Sequence, residues 1–161
     1  MPDSTTKKVI ALITSVLVAQ GIGVLGSLAT MPSIEPWYRE LTRPEFTPPD
    51  YAFPVVWPLL FTLMAIAAWL VWLKRDENPY VNKGLVWYCV QLVFNVAWSF
   101  LFFGLQSPGA ALFEILLLLA AIIITTWYFW KVDIKAAILM TPYILWVGYA
   151  TVLNAAIVVL N

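Results

Sequence analysis

The chain contains no histidine and a single cysteine, Cys89, among its 161 residues. Without histidine, one chain cannot build a histidine-ligated metal or haem site, a Ser-His-Asp triad or an imidazole proton relay. With one cysteine it cannot form an internal disulfide bond. The basic residues form no patch suited to nucleic acid, and phosphate-binding glycine motifs are absent. We therefore predict no metal site, no protein-borne cofactor and no nucleic-acid partner.

Charge is also scarce, because only 11% of the residues are charged and 62% are apolar. Soluble domains are roughly 25% charged and 45–50% apolar, so this composition indicates a membrane protein. Five apolar stretches reach the length of about 20 residues that a membrane-spanning helix needs. They cover residues 9–31, 54–73, 84–103, 109–130 and 136–160. Continuous apolar runs favour helices over barrel strands, so we predict an all-α membrane protein, one five-helix transmembrane bundle over residues 1–161.

The basic residues are distributed unequally between the two ends of these spans. The end that carries the N-terminus holds seven of them: Lys7, Lys8, Lys74, Arg75, Lys83, Lys131 and Lys135. The opposite end holds two, Arg39 and Arg43. Basic residues accumulate on the cytoplasmic side of a membrane protein. The sequence therefore predicts a cytoplasmic N-terminus, with the first long connection on the opposite face.

That first connection, residues 32–53, overlaps the longest polar interruption of the chain, residues 36–61. We call residues 32–53 the lid. Residues 36–61 contain six prolines: Pro36, Pro44, Pro48, Pro49, Pro54 and Pro58. Proline fixes φ and removes an amide donor, so we expect a stiff connector. Because it carries Trp37 and Tyr38, we expect it to lie across one end of the bundle as an aromatic cover.

Several spans place aromatic or amide groups at one depth in the outer half of the membrane. At a rise of 1.5 Å per residue, and with helical faces read at spacings of three and four, the set is Gly23, Trp57, Phe61, Asn95, Trp98, Tyr143, Trp146, Ala150 and Asn154. Aromatic walls with a few hydrogen-bonding groups suit a flat, apolar ligand. Two alternatives stay open: chance clustering in a chain with 16% aromatic residues, and helix–helix hydrogen bonding by Asn95.

Two further features of the spans have more than one interpretation. Ala19, Gly23 and Ser27 form a ridge of small residues, which either packs within the chain or forms a dimer face. Glu114 is the one acidic residue plainly inside a span, and a membrane carboxylate is a functional candidate by default. Its position about 7 Å from the start of the fourth span also allows it to reach the interface.

Three motifs together resemble the tryptophan-rich sensory protein / translocator protein family, also called the peripheral-type benzodiazepine receptors. They are Trp37-Tyr38-x2-Leu41-x-Arg43-Pro44-x-Phe46-Thr47-Pro48-Pro49 followed by Phe53-Pro54-x2-Trp57, Gln91-Leu92-x-Phe94-Asn95-x2-Trp98-Ser99-x2-Phe102-Phe103, and Pro142-Tyr143-x2-Trp146-x6-Leu153-Asn154. The resemblance implies a five-helix bundle, often a homodimer, that binds porphyrins such as protoporphyrin IX. It places the ligand pocket on Tyr38, Pro48, Trp57, Phe61, Asn95, Trp98 and Trp146.

The resemblance also bears on chemistry and on a second ligand class. In some bacterial members two pocket tryptophans, which match Trp57 and Trp146, are linked to light-dependent porphyrin breakdown. Animal members end the fifth span with a sterol-recognition pattern, whereas the segment Leu153–Asn161 lacks its tyrosine and its basic residue. Specific sterol binding is therefore not predicted here.

Three functions follow as hypotheses. The first is a sensor or transporter that binds tetrapyrroles by stacking on tryptophan, with Arg39 or Arg43 pairing the propionates. The second is a light-dependent porphyrin-degrading enzyme that uses Trp57 and Trp146. The third is a proton-coupled exporter that uses Glu114, although inverted repeats are missing. We favour the first.

Overall fold

The computed structural model describes residues 4–161, and within them the chain folds into helices and connecting segments without any strand. The helices are α1 (Thr5–Ser33), α2 (Ala52–Trp72), α3 (Val81–Ser99), α4 (Pro108–Val132) and α5 (Ile134–Leu160). α1 is followed, across a kink at Glu35, by a short helical segment that ends at Tyr38, and α3 continues as a wider helical turn over Phe100–Gly104. With these extensions, five helices of the described part are long and apolar enough to cross a membrane. The predicted all-α, five-span architecture is confirmed.

The helices form a ring in the order α1, α2, α5, α4, α3. α1 packs on α2 and α3, α5 packs on α2 and α4, and α3 packs on α4. The core of this ring is built from buried apolar side chains such as Met64, Ile122 and Met140. The order matters for the site, because it makes α2 and α5 neighbours although they are distant in sequence.

The beginning of the lid is helical, which corrects the predicted boundary at residue 32. Pro32 lies inside α1, and the helical φ/ψ values break only at Glu35, where φ is −120° and ψ is 132°. The residue before a proline is driven out of the helical region, so Pro36 sets this break. Within the lid, coil and turn are confined to residues 41–51. Trp37 and Tyr38 therefore lie in a short helical segment just after this break, which we call the α1 extension, and not in a loop.

The remainder of the lid is fastened to α5. The Asn161 side chain accepts a hydrogen bond from the Thr42 amide at 2.9 Å and donates one to the Thr42 carbonyl at 3.0 Å. The Tyr149 hydroxyl donates to the Phe46 carbonyl, and the two rings are in contact. The lid thus lies against the C-terminal half of α5.

Candidate functional site

Four aromatic rings meet between α2 and α5. The Trp57 ring centroid lies 5.8 Å from that of Phe61, 6.4 Å from that of Tyr143 and 6.5 Å from that of Trp146. The two indoles are nearly perpendicular, at 89°. Trp57 and Phe61 are one turn apart on α2, and Tyr143 and Trp146 are one turn apart on α5, so each pair shares a helix face. We call these four residues the α2–α5 cluster.

Asn95 of α3 adjoins this cluster through a buried hydrogen bond. Its Nδ2 donates to the Tyr143 hydroxyl at 2.9 Å, and both side chains are buried. In this structure Asn95 therefore makes the helix–helix bond that the sequence left open as one alternative. A bond between α3 and α5 at this depth also fixes the orientation of the Tyr143 ring beside Trp57.

Gly23 allows α1 to approach the same cluster. A Cβ atom built at Gly23 would lie 2.8 Å from Cε2 and 2.9 Å from Cδ2 of Phe61. Such distances are too short for carbon atoms, so only glycine fits without moving the Phe61 ring. Two members of the small-residue ridge thus pack within the chain: Gly23 against Phe61, and Ala19, which is fully buried.

A second group of rings lies between the α1 extension and α3. Trp98 stacks on Phe102 at 5.1 Å, and Phe102 contacts Trp37 at 5.7 Å and Tyr38 at 6.2 Å. Phe103 contacts Trp37, Tyr38 and Trp98 as well. We call these five residues the α1–α3 cluster. Phe102 and Phe103 were not among the predicted site residues, although both belong to the second family motif and Phe102 shares a helix face with Trp98.

The predicted site residues therefore form two aromatic clusters and not one. The reason is the helical continuation past Pro32, which carries Trp37 and Tyr38 to the side of α3. Trp98 packs against both apolar cores of the bundle and so connects the two clusters. Asn154 of α5 accepts a hydrogen bond from the Trp98 indole at 3.1 Å and donates one to the Pro108 carbonyl at 2.8 Å.

Two cavities border the lid. The first, of about 490 Å³, lies within the lid and is lined by Arg39, Leu41, Arg43, Pro44, Thr47, Pro48, Pro49 and Asp50. The second, of about 580 Å³, is a groove between α2 and α5 lined by Pro48, Val56, Leu59, Leu60, Pro142, Leu145, Trp146 and Tyr149. We call them the lid cavity and the α2–α5 groove. Among the predicted residues, Arg43 lines the first, Trp146 the second and Pro48 both, whereas Ala150 packs against the core.

Glu114 of α4 is a buried carboxyl group. Its residue is only 6% exposed, and neither carboxylate oxygen has a hydrogen-bond partner among the described residues. It thus faces the interior of the bundle, and the alternative that it reaches the interface is not what the structure shows. Its part in ligand binding or in proton coupling stays a prediction. Residues 4–161 contain no group of three or more His, Cys, Asp or Glu side chains placed to hold a metal ion.

Other tryptophans lie near the helix ends beside cationic or backbone groups. The Trp69 indole donates to the Lys8 carbonyl at 2.9 Å, and the Arg75 guanidinium lies 3.8 Å from the Trp72 ring centroid. The Lys131 ammonium lies over Trp130 at 4.8 Å. This arrangement is typical of aromatic residues at a membrane–water interface. These rings are internal controls for Trp57 and Trp146.

Comparisons with known proteins agree with this architecture. Residues 15–160 match the model of the TspO/MBR family. The chain is 39% identical over 155 residues to the tryptophan-rich protein TspO of Archaeoglobus fulgidus, covering 95% of this chain and 98% of that protein. It is 37% identical over 155 residues to the protein of the same name from Chlorobaculum tepidum, covering 96% of this chain and 98% of the relative.

An animal relative is similar over a shorter length. The human translocator protein is 36% identical over 121 residues, covering 73% of this chain and 70% of that protein. The family match spans all five helices, which are themselves long and apolar enough to cross a bilayer. The chain is therefore an integral, multi-pass membrane protein that belongs to the TspO/MBR family.

Proposed function

We propose that this protein binds porphyrins, such as protoporphyrin IX, at the α2–α5 cluster and acts as a sensor or transporter of flat, apolar ligands. The observation that carries the proposal is the contact of Trp57 with Phe61, Tyr143 and Trp146 between adjacent helices. Indole and phenol rings offer large flat surfaces on which a macrocycle can stack. The protein itself contributes no cofactor in this proposal, since the porphyrin is the ligand.

The polar groups around the cluster would orient such a ligand. The Asn95–Tyr143 pair is buried beside the rings, and hydrogen-bonding groups in an otherwise apolar site determine how a ligand is turned. The chain has no histidine to ligate a metal in the macrocycle, so stacking supplies the affinity. Free porphyrin is accordingly expected to bind at least as well as its iron complex.

Fluorescence quenching tests this function directly. We expect the double variant Trp57→Phe/Trp146→Phe to bind protoporphyrin IX about tenfold more weakly, because two stacking surfaces worth roughly 0.5–1.5 kcal/mol each are reduced. The titration monitors the remaining tryptophans of detergent-purified protein. The double variant Trp127→Phe/Trp130→Phe, at the interface, is the matched control. Equal affinity in wild type and in the Trp57/Trp146 variant would remove this cluster as the site.

A second candidate function, light-dependent porphyrin degradation, is favoured by the short distance between the Trp57 and Trp146 indoles. The ring centroids of Trp57 and Trp146 lie 6.5 Å apart, so the radical cation formed when one indole gives an electron to an excited porphyrin can be shared with the other, while oxygen takes the electron from the reduced porphyrin. We expect illumination of the complex under oxygen to bleach the porphyrin Soret band, and Trp146→Phe to slow the bleaching more than it weakens binding. Bleaching no faster than in detergent micelles alone would rule out the enzyme hypothesis.

We further infer the orientation and assembly of the protein. Seven basic residues at one end of the bundle against two at the other favour a cytoplasmic N-terminus, with the lid on the opposite face. The resemblance to the family favours a homodimer. The lipid bilayer surrounds the bundle in this proposal, since leucine and valine side chains along α1 point outward and are exposed on the bundle surface.

A further inference from the structure

The lid cavity and the α2–α5 groove are adjacent depressions that border each other at Pro48. Pro48 lines both of them, so the polar cavity inside the lid opens beside the apolar groove between the helices. Each has a volume, about 490 Å³ and 580 Å³, in the range of small-molecule sites. A ligand that occupies both must have one charged end and one apolar body.

The groove is apolar and opens outward from the bundle. Leu59 and Leu145 line it, and their residues are 56% and 69% exposed on the surface that faces lipid. At its inner wall lies Trp146, which also contacts Trp57 of the α2–α5 cluster. The groove therefore connects the lipid-facing surface with the proposed porphyrin site through a single indole.

The lid cavity offers two guanidinium groups whose carboxylate partners are exposed to solvent. Arg43 lies 3.5 Å from the Asp50 carboxylate, and Arg39 lies 3.0 Å from that of Glu35. Ion pairs with exposed partners contribute little, so an incoming carboxylate can replace Asp50 on Arg43. The Arg43 guanidinium also lies 5.2 Å from the Tyr38 ring centroid, which keeps it at the cavity wall while its partner changes.

We propose that the lid cavity and the α2–α5 groove together form a docking site for a tetrapyrrole dicarboxylate. This docking site is distinct from the α2–α5 cluster and leads to it. The two carboxylates bind Arg43 and Arg39 in the lid cavity, and the macrocycle lies in the α2–α5 groove against Trp146. Rotation of the Trp146 side chain then admits the macrocycle between α2 and α5. This inference rests on the proposed porphyrin function, and it adds that the carboxylates are recognised at the lid and that the ring enters from the lipid side.

The first experiment compares protoporphyrin IX with its dimethyl ester, which has the same macrocycle and no charge. Binding to purified protein is measured by quenching for wild type, Arg43→Gln and Asp50→Asn. We expect Arg43→Gln to weaken binding of the acid about fivefold and to leave the ester unchanged, since one charge-assisted bond is lost. Asp50→Asn, which frees Arg43, should strengthen binding of the acid and leave the ester unchanged. Equal effects on acid and ester in both variants would overturn the proposal.

The second experiment fills the groove. Leu145→Trp places an indole in the α2–α5 groove, and Leu116→Trp makes the same change on the outer surface of α4, where the residue is 51% exposed. We expect Leu145→Trp to slow porphyrin association several-fold in stopped-flow mixing and Leu116→Trp to leave it unchanged. Identical association rates would exclude entry through the groove while the interior site stands. If wild type binds neither porphyrin, the proposed function fails together with this inference.

Discussion

Replacing Asn154 with leucine is expected to lower the stability of the folded bundle by about 1–3 kcal/mol, because two partly buried polar groups lose their partner at once. Asn154 is 1% exposed, accepts a hydrogen bond from the Trp98 indole and donates one to the Pro108 carbonyl. It thereby joins α3, the start of α4 and α5. Thermal unfolding in detergent, followed by tryptophan fluorescence, measures the change. Leucine has the same number and branching of side-chain heavy atoms as asparagine, so it removes the hydrogen bonds without leaving a cavity.

Two further variants make this prediction specific. Asn82→Leu changes the same side chain at an exposed position near the start of α3 and should shift the midpoint little. Trp98→Phe removes the indole that donates to Asn154. The double variant Trp98→Phe/Asn154→Leu should therefore lose less stability than the sum of the two single variants. Strict additivity of the two changes would show that the Trp98–Asn154 bond does not link the helices as described.

Alanine at Gly23 should be destabilising, whereas alanine at Gly21 should be neutral or stabilising, although the two positions are two residues apart on α1. A Cβ at Gly23 would lie 2.8 Å from Phe61, which is buried, whereas a Cβ at Gly21 meets no atom within 4 Å. Overpacking costs about 1–3 kcal/mol, and a helical glycine replaced by alanine gains up to about 1 kcal/mol. Thermal unfolding of the two variants measures both effects: the midpoint should fall for Gly23→Ala and should stay or rise for Gly21→Ala.

The variants Gly23→Ala and Gly21→Ala also test the α2–α5 cluster as a ligand site. Because Phe61 packs on Trp57, displacement of its ring by Gly23→Ala should also weaken porphyrin binding, and Gly21→Ala should not. Phe61→Leu makes room beside position 23 and should restore part of the stability lost by Gly23→Ala. If Gly23→Ala is as stable as Gly21→Ala, α1 does not approach α2 as closely as the structure has it.

The number and extent of the spans were predictable because a bilayer imposes a minimum length on every apolar helix. The predicted 136–160 and the observed Ile134–Leu160 differ by two residues at one end only. The start of α1 at Thr5 was missed by four residues, because the Ser4 cap and the polar turn after it carry no apolar signal. Here the local chemistry of the cap, and not hydropathy, sets where the helix begins.

The spatial arrangement of the site was predictable only in part. Helical spacing and depth brought Trp57, Phe61, Tyr143 and Trp146 to one level, but nothing local in the sequence says that α2 neighbours α5. The division into two clusters was not predicted, because we expected Pro32 to end the first helix. Instead, α1 continues past Pro32, and its helical backbone breaks only at Glu35. Trp37 and Tyr38 then pack on Phe102, which holds this part of the chain along α3.

The most direct test of a porphyrin site at the α2–α5 cluster is the NMR spectrum of the nine indole N–H groups, labelled with nitrogen-15, with and without protoporphyrin IX. A bound macrocycle shifts the signals of the rings that stack on it. The account predicts large shifts for Trp57 and Trp146, with Trp69, Trp72, Trp127 and Trp130 unchanged. Shifts confined to those four interfacial indoles, with Trp57 and Trp146 unmoved, would contradict it.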